Sequence, residues 1–210
     1  MALMRIRVDE DPVLRRKSSK IERMDPTILQ LMDDMAETMY KAPGIGLAAP
    51  QVGVNLRVIV VDVGEESGLL KMANPKIVET EGMCMMTEGC LSVPGLLGDV
   101  ERPEKIIVKA MGPEGKYFRM EAEGMLARCL QHEIDHLDGI LYTDKAISVW
   151  EPTEEDLEES PGEVAEANAL RNTGSAVEPA SSDKSGDTEV RGVPLSRMEN
   201  QPAALFQVEG

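Results

Sequence analysis

The chain has 210 residues, and its 38 Asp and Glu outweigh 22 Lys and Arg to give a formal net charge of −16 at pH 7. Nucleic-acid binding proteins carry a basic surface and anionic membranes attract a surplus of Lys and Arg, so this balance argues against both kinds of partner. No apolar run approaches the ~20 residues of a membrane span, and the first residues lack the apolar core of a signal peptide. We therefore expect a cytoplasmic protein.

The first predicted element is an amphipathic helix. Asp25 followed by Pro26 is typical of a helix start, and apolar residues follow at helical spacing. These signals predict a helix over residues 26–41, which the segment GIG at 44–46 would end. Residues 57–63, RVIVVDV, are short and β-branched, and this pattern predicts a buried strand.

Further strands and a second helix are predicted downstream. Residues 77–78 and 106–110 are β-branched, and GPEG at 112–115 predicts the turn of a hairpin into residues 117–120. A second helix over residues 125–137 would be closed by the Asp-Gly that follows it. Strands followed by a helix predict an α+β fold, in which antiparallel sheets pack around this second helix.

The C-terminal part of the chain differs in composition from the rest. Residues 149–210 carry 14 acidic and 4 basic side chains, with clusters of Pro, Gly and Ser. Such a segment has too little apolar surface to offset the entropy lost on ordering. We therefore predict a folded domain over residues 1–148 and a disordered acidic extension over residues 149–210.

The second predicted helix contains the motif HEIDH at residues 132–136. His132 and His136 are the only histidines of the chain, and a spacing of four residues puts both imidazoles on one helix face, where they can bind one metal ion. Glu133 can take a proton from a metal-bound water without itself being a ligand. We interpret the motif as a hydrolytic metal site, and an incidental pair on a surface helix is the alternative.

A catalytic site of this kind needs a third protein ligand and an open position for water. Cys90 is the preferred candidate, because the flanking residues of EGCLSVPG would present its sulfur from a loop or a strand end. The alternative ligands are carboxylates of the acidic segment: Glu151, Glu154 and Glu155. An odd number of widely spaced cysteines favours reduced thiols or a metal ligand over a disulfide framework.

The other two cysteines and the methionines near one of them favour a structural role. Intracellular cysteines are most often buried apolar side chains. We expect this of Cys84 and of Cys129, which would line a pocket or the core. Met83, Met85 and Met86 surround Cys84 and are expected to fill the core adaptably.

Gln51 is the one polar side chain in the segment GIGLAAPQVG at residues 44–53. A buried amide without a partner costs roughly 1–3 kcal/mol, so Gln51 needs one. Small residues in this segment allow the backbone to approach another group closely. The segment is not a dinucleotide-binding fingerprint, because it lacks the third glycine and follows a helix rather than a strand.

Three motifs together resemble the peptide deformylase family: GIGLAAPQ at 44–51, EGCLS at 88–92 and QHEIDH at 131–136. The resemblance extends from the N-terminus to about residue 148. It implies metal ligation by Cys90, His132 and His136, with Glu133 as the general base. It also implies that the oxyanion of the reaction is bound by the side chain of Gln51 and the backbone N–H of Leu91.

The resemblance further implies a groove in which a peptide is added as an extra strand. The residues expected to line this groove are Ile45, Gly46, Glu88 and Gly89. The residues expected at the pocket for the methionine side chain are Met86, Met125, Arg128 and Cys129. One departure from the family pattern is Thr87, where many members have a carboxylate.

The activity implied by the resemblance is removal of the formyl group from the N-terminal formyl-methionine of newly made bacterial or organellar proteins. The expected cofactor is Fe²⁺, which Ni²⁺, Co²⁺ or Zn²⁺ can replace. Metal-bound hydroxide would attack the formyl carbon, and Glu133 would pass the proton to the leaving amine. The expected partners are formyl-methionyl nascent peptides and, in some members through a basic C-terminal helix, the ribosome; the chain itself is expected to be a monomer.

Two other functions are compatible with these residues. A metalloprotease on the same ligands would cleave internal peptide bonds, whereas a deformylase acts on formylated N-termini. A catalytically silent binding protein would be expected to lack Glu133, Gln51 or Cys90, and all three are present. The acidic extension can also bind a basic partner alongside an enzymatic activity, although it does not match the basic helix used for ribosome docking.

Overall fold

The computed structural model describes residues 2–8, 10–64 and 67–153, and this part of the chain contains two α-helices, eight β-strands and three short 3-10 helices. The helices are α1 (Pro26–Lys41) and α2 (Gly124–Leu137). The strands are β1 (Gly46–Ala48), β2 (Val58–Val61), β3 (Leu70–Glu81), β4 (Cys84–Glu88), β5 (Leu97–Arg102), β6 (Lys105–Met111), β7 (Tyr117–Glu123) and β8 (Ser148–Trp150).

The strands form two antiparallel sheets. One has the order β1-β2-β3-β6-β7, and the other has the order β4-β5-β8. Both β1 and β4 are edge strands, so each has one side whose backbone groups are not paired within its sheet. The mixture of helices and antiparallel sheets confirms the predicted α+β class.

Helix α1 begins and ends at the predicted residues. The Asp25 carboxylate accepts hydrogen bonds from the backbone N–H groups of Thr27 and Ile28 at 2.9 and 3.1 Å, and Pro26 occupies the first turn. A cap of this type contributes about 1 kcal/mol. The buried face of the helix packs on the first sheet in a core of aliphatic side chains that includes Met32.

Helix α2 is buried on most of its surface. It contacts β1, β2 and β7, and its apolar residues share a core with the first sheet. The same helix also buries the polar residues Arg128, Gln131, His132, Glu133 and His136. Because buried polar groups need partners, these residues mark the region of the molecule where polar interactions are concentrated.

Regular structure at the C-terminal end of the described residues extends to strand β8. Strand β8 pairs with β5 and runs to Trp150, so regular structure continues beyond residue 148, where we predicted the domain to end. The reason is that residues 148–150 complete the edge of the second sheet. The predicted disorder of the acidic extension falls almost entirely on residues 154–210, which lie outside the described residues. Within the described residues, no helix is long and apolar enough to cross a membrane.

Candidate metal centre

Cys90, His132 and His136 converge on one point. Their ligand atoms all lie within 4.8 Å of one another, and Cys90 Sγ is 3.3 Å from His136 Nε2. A tetrahedral ion with a sulfur at ~2.3 Å and a nitrogen at ~2.05 Å would separate these two atoms by about 3.6 Å. All three side chains are buried, with 2%, 9% and 0% of their surface exposed. This donor set and spacing fit a first-row divalent cation.

Two elements position these ligands. Helix α2 places His132 and His136 one turn apart, with ring centroids separated by 4.9 Å. Cys90 follows the end of β4 in a tight turn, which the hydrogen bond from Val93 N to Cys90 O closes at 2.9 Å. The alternative ligand Glu151 is exposed. The other two alternatives, Glu154 and Glu155, lie outside the described residues.

A buried network of charged groups surrounds His132. Its Nδ1 is 2.9 Å from the Glu88 carboxylate, which in turn accepts two hydrogen bonds from Arg102 at 2.6 and 2.9 Å and one from Arg128 at 2.9 Å. Arg102 also donates to Asp135 at 2.6 Å. Burial raises the pKa of Glu88, but the hydrogen bonds from Arg102 and His132 outweigh burial and hold this pKa well below its usual range. Glu88 is therefore a carboxylate that orients His132, so that Nε2 faces the centre.

This network differs from the predicted roles of two residues. We expected Glu88 to line a peptide groove and Arg128 to line a pocket, but both side chains are at least 95% buried and fully engaged inside the protein. Arg128 additionally donates to the backbone carbonyls of Val100 and Cys84 at 2.8 and 2.7 Å. Arg102, the bidentate partner of Glu88, was not predicted from the sequence, because it belongs to none of the three motifs.

The two histidines differ in protonation. Burial, together with the charges of His132 and Arg102, lowers the pKa of His136 well below 6.5 and leaves that ring neutral. Burial also lowers the pKa of His132, but its hydrogen bonds to Cys90 and Glu88 outweigh burial and raise this pKa well above 6.5. A cation competes with the proton on His132 for the same group of ligands, so metal binding is expected to release a proton.

Two hydrogen-bond donors adjoin the sulfur of Cys90. The side-chain oxygen of Gln51 accepts from Ala48 N at 2.7 Å, which directs its Nε2 toward Ser92 Oγ at 3.3 Å and Cys90 Sγ at 3.6 Å. The second donor is the backbone N–H of Ser92, which donates to Cys90 Sγ at 3.4 Å, and the neighbouring Leu91 is buried. These hydrogen bonds join the Gln51 amide and the turn after β4 at the ligand sulfur.

Glu133 lies directly beneath the backbone of β1. A Cβ atom at Gly46 would be 2.4 Å from Glu133 Oε1 and 2.6 Å from Cys129 Sγ. Only glycine therefore fits at position 46 without displacing the Glu133 carboxylate. The Cys129 thiol contacts the carbonyl oxygen of Ile45 at 3.5 Å, so the edge strand and α2 are in close contact here.

The remaining predicted pocket residues differ in exposure. Cys129 is 5% exposed and packs in the core, as predicted, whereas Met86 and Met125 are half-buried. Gly89 is buried between the end of β4 and the Cys90 turn. The structure places Gly46, Cys129 and Glu133 together.

The prediction that the residues around Cys84 fill the core is wrong. Met83 and Met85 are 56% and 47% exposed, and Cys84 is half-buried. These residues lie on or next to β4, an edge strand whose side chains alternate between the protein and solvent. The exposed side of this strand therefore carries methionine side chains.

Comparisons with known proteins point to one family. The sequence model of the polypeptide deformylase family matches residues 3–151. The peptide deformylase of Caldicellulosiruptor bescii is 54% identical over 159 residues, which cover 76% of this chain and 93% of that protein. The peptide deformylase of Halothermothrix orenii is 54% identical over 151 residues, which cover 72% and 98%.

Solved structures agree with the sequence comparisons. The crystal structure of peptide deformylase from Thermotoga maritima is similar with a TM-score of 0.68 at 41% identity, covering 70% of this chain and all of that chain. A peptide deformylase from Synechococcus elongatus in complex with actinonin has a TM-score of 0.65 at 40% identity, covering 83% and 87%. Since the family model and the relatives each cover most of the chain, the chain belongs to the polypeptide deformylase family.

Proposed function

We propose that this protein removes the formyl group from the N-terminal formyl-methionine of nascent polypeptides, using a cation held by Cys90, His132 and His136. Members of the family remove the formyl group from N-terminal methionine. The observation that carries the proposal is the convergence of the three ligands with a buried carboxylate, Glu133, in the same part of α2.

Each residue near the centre has a chemical role in this proposal. A bound divalent cation supplies Lewis acidity, which lowers the pKa of a water molecule toward ~7. Glu133 accepts the proton of the attacking water and delivers it to the amine that leaves. Gln51 Nε2 and the Leu91 N–H donate to the formyl oxygen as it becomes negative, and losing one such donor typically costs ~3–4 kcal/mol.

We propose that the substrate binds between the two edge strands. An extended peptide can hydrogen-bond to the free side of β1 or of β4. In this arrangement the backbones of Ile45, Gly46 and Gly89 line the groove, and Met86, Met125 and Cys129 border the methionine pocket. Actinonin, which is bound in the Synechococcus elongatus structure, is proposed to bind in the same groove of this chain.

The proposed ion is Fe²⁺. Thiolate with two imidazoles is a softer donor set than carboxylates, and it suits late first-row ions, so that Ni²⁺, Co²⁺ or Zn²⁺ can replace iron. We propose that the enzyme acts as a monomer in the bacterial cytoplasm on chains emerging from the ribosome. The acidic composition of residues 149–210 argues against ribosome docking through a basic C-terminal helix.

The proposal is tested with a formyl-methionyl tripeptide and its N-acetylated counterpart. The wild type is expected to release formate from the first peptide and to leave the second peptide and internal peptide bonds intact. Glu133→Gln is expected to retain the metal and to lower kcat by about 100-fold or more. Glu123→Gln, an exposed carboxylate at the start of α2, is the control and is expected to behave as the wild type.

Two results would contradict this proposal. A Glu133→Gln variant with wild-type kcat would remove Glu133 from the reaction. Cleavage of internal bonds without formate release would identify a metalloprotease instead.

A further inference from the structure

Three cationic side chains stand directly opposite one another across the first sheet. Lys76 on β3 pairs with Lys109 on β6, and Lys109 pairs with Arg119 on β7. Like charges in directly opposite positions destabilise a sheet. Arg119 is neutralised by Glu79 at 2.6 Å, but Lys76 and Lys109 have no ion pair within the described residues. Two adjacent lysines without a counter-charge are unexpected in a chain with a net charge of −16.

These lysines line a cavity of about 1040 Å³. Five cationic residues contribute to its walls: Lys17, Lys20, Arg57, Lys76 and Lys109. Two carboxylates also line the cavity. Asp138 already pairs with Arg57 at 2.9 Å and with Lys17 at 3.7 Å. Among the described lining residues, Glu22 is therefore the one carboxylate that offsets the other lysines. The described residues that line the cavity therefore carry a surplus of positive charge.

The wall of the cavity opposite the sheet is held in place by hydrogen bonds. The side chain of Asn74 accepts from Ile21 N at 2.9 Å and donates to Ile21 O at 2.6 Å, which fixes the segment that carries Lys20 against β3. Ser18 N donates to Leu137 O at 2.8 Å. Ser18 also lines the cavity, is 5% exposed, and has a hydroxyl with no hydrogen-bond partner within the described residues.

An aromatic ring adjoins the lysines. Tyr117 is 58% exposed and lines the same cavity, and Lys109 Nζ lies 5.4 Å from the centre of its ring. An exposed ring next to unpaired cations is the combination that binds a nucleotide unit, because bases stack on aromatic rings and phosphates pair with lysines. Although the chain as a whole is acidic, the described residues that line this cavity have a net positive charge.

We propose that this cavity binds a nucleotide unit, with Lys20, Lys76 and Lys109 at the phosphate and Tyr117 beneath the base. The ligand is either a free nucleotide or one nucleotide of a single-stranded RNA, since both present the same phosphate and base. None of these residues belongs to the metal centre or to the proposed peptide groove, so the site is independent of the deformylase reaction.

The test measures binding of two ligands to the full-length protein at low salt. ADP is titrated by calorimetry, and a fluorescently labelled oligoadenylate is titrated by anisotropy. The Lys76→Gln/Lys109→Gln double variant is expected to bind about tenfold more weakly or worse, with a salt slope for RNA reduced by about 0.7 for each phosphate that a lysine no longer neutralises. Lys105→Gln is the matched control, because Lys105 lies on the same strand but is paired with Glu123 at 2.6 Å.

The outcomes separate the two sources and the alternative. If the oligoadenylate binds no more tightly than ADP, the ligand is a free nucleotide. If the affinity for oligoadenylate increases with its length, the ligand is RNA. Either result supports the site, provided that Lys105→Gln binds as the wild type. The proposal is overturned if neither ligand binds the wild type, or if Lys105→Gln loses as much affinity as the double variant. Formate release by every variant reports that the fold is intact.

Discussion

Gly46→Ala tests whether close packing of β1 on α2 sets the position of the general base. The added Cβ would lie 2.4 Å from Glu133 Oε1, whereas ordinary contacts begin near 3.4 Å, so the carboxylate must move by about 1 Å. A misplacement of ~1 Å in a catalytic group can cost 10²-fold in rate. We therefore expect kcat on a formyl-methionyl tripeptide to fall by about 100-fold.

The assay separates this effect from two others. Metal content is expected to equal that of the wild type, because Cys90 and both histidines are untouched. Gly46 does not have a left-handed backbone angle, so alanine adds no backbone strain there. Gly112→Ala is the matched control, since its Cβ would meet only the flexible end of Glu114 at 3.0 Å and the ring of Phe118 at 3.7 Å. An unchanged kcat for Gly46→Ala, or an equal loss for Gly112→Ala, would refute the reasoning.

Three further predictions concern the ligand thiol, the buried ion network and an exposed tyrosine. Cys90→Ser is expected to retain little metal at neutral pH, because a neutral hydroxyl binds a cation far more weakly than a thiolate; full occupancy by metal analysis would contradict this. Arg102→Met removes the bidentate partner of the buried Glu88 carboxylate and is expected to lower the free energy of unfolding, measured by urea denaturation, by ~3–5 kcal/mol. An unchanged midpoint of urea denaturation would contradict this prediction. The hydrogen bond to Asp62 raises the pKa of Tyr40 from 10.0 to about 12. This hydrogen bond therefore stabilises the folded protein fully below about pH 10, and the stabilisation is lost as the pH rises through about 12. This value is checked by comparing the absorbance titrations of the wild type and of Tyr40→Phe. A difference between the two titrations with its midpoint near pH 10 would contradict the prediction.

Elements with local signals were predicted well from the sequence. Helix α1 has a capping aspartate, a proline in its first turn and apolar residues at helical spacing, and these three signals agree. Strand β3 was predicted only at residues 77–78, although it spans Leu70–Glu81. Its sequence contains Asn74, Pro75 and several charged residues, which disfavour strands. Pairing with β2 on one side and β6 on the other overrides that preference.

In the candidate site too, residues with a local sequence signal were predicted, and residues defined by long-range contacts were not. His132 and His136 are four residues apart, and this spacing alone predicts that both lie on one face of a helix. Cys90 is more than 40 residues away, and its place in the site was favoured by its surrounding motif rather than by any periodicity. Arg102 was missed because a long-range ion pair leaves no pattern in the sequence. Met85 was misplaced because composition does not show that β4 lies at the edge of a sheet.

X-ray absorption and metal analysis of anaerobically purified protein test the central claim most directly, namely that one thiolate and two imidazoles hold one cation. We predict one first-row divalent cation for each chain, with one sulfur at about 2.3 Å and two nitrogens at about 2.0–2.1 Å. We also predict that the rate of formate release is proportional to the metal content. A bound ion with no sulfur ligand, or full activity in protein free of metal, would contradict the account.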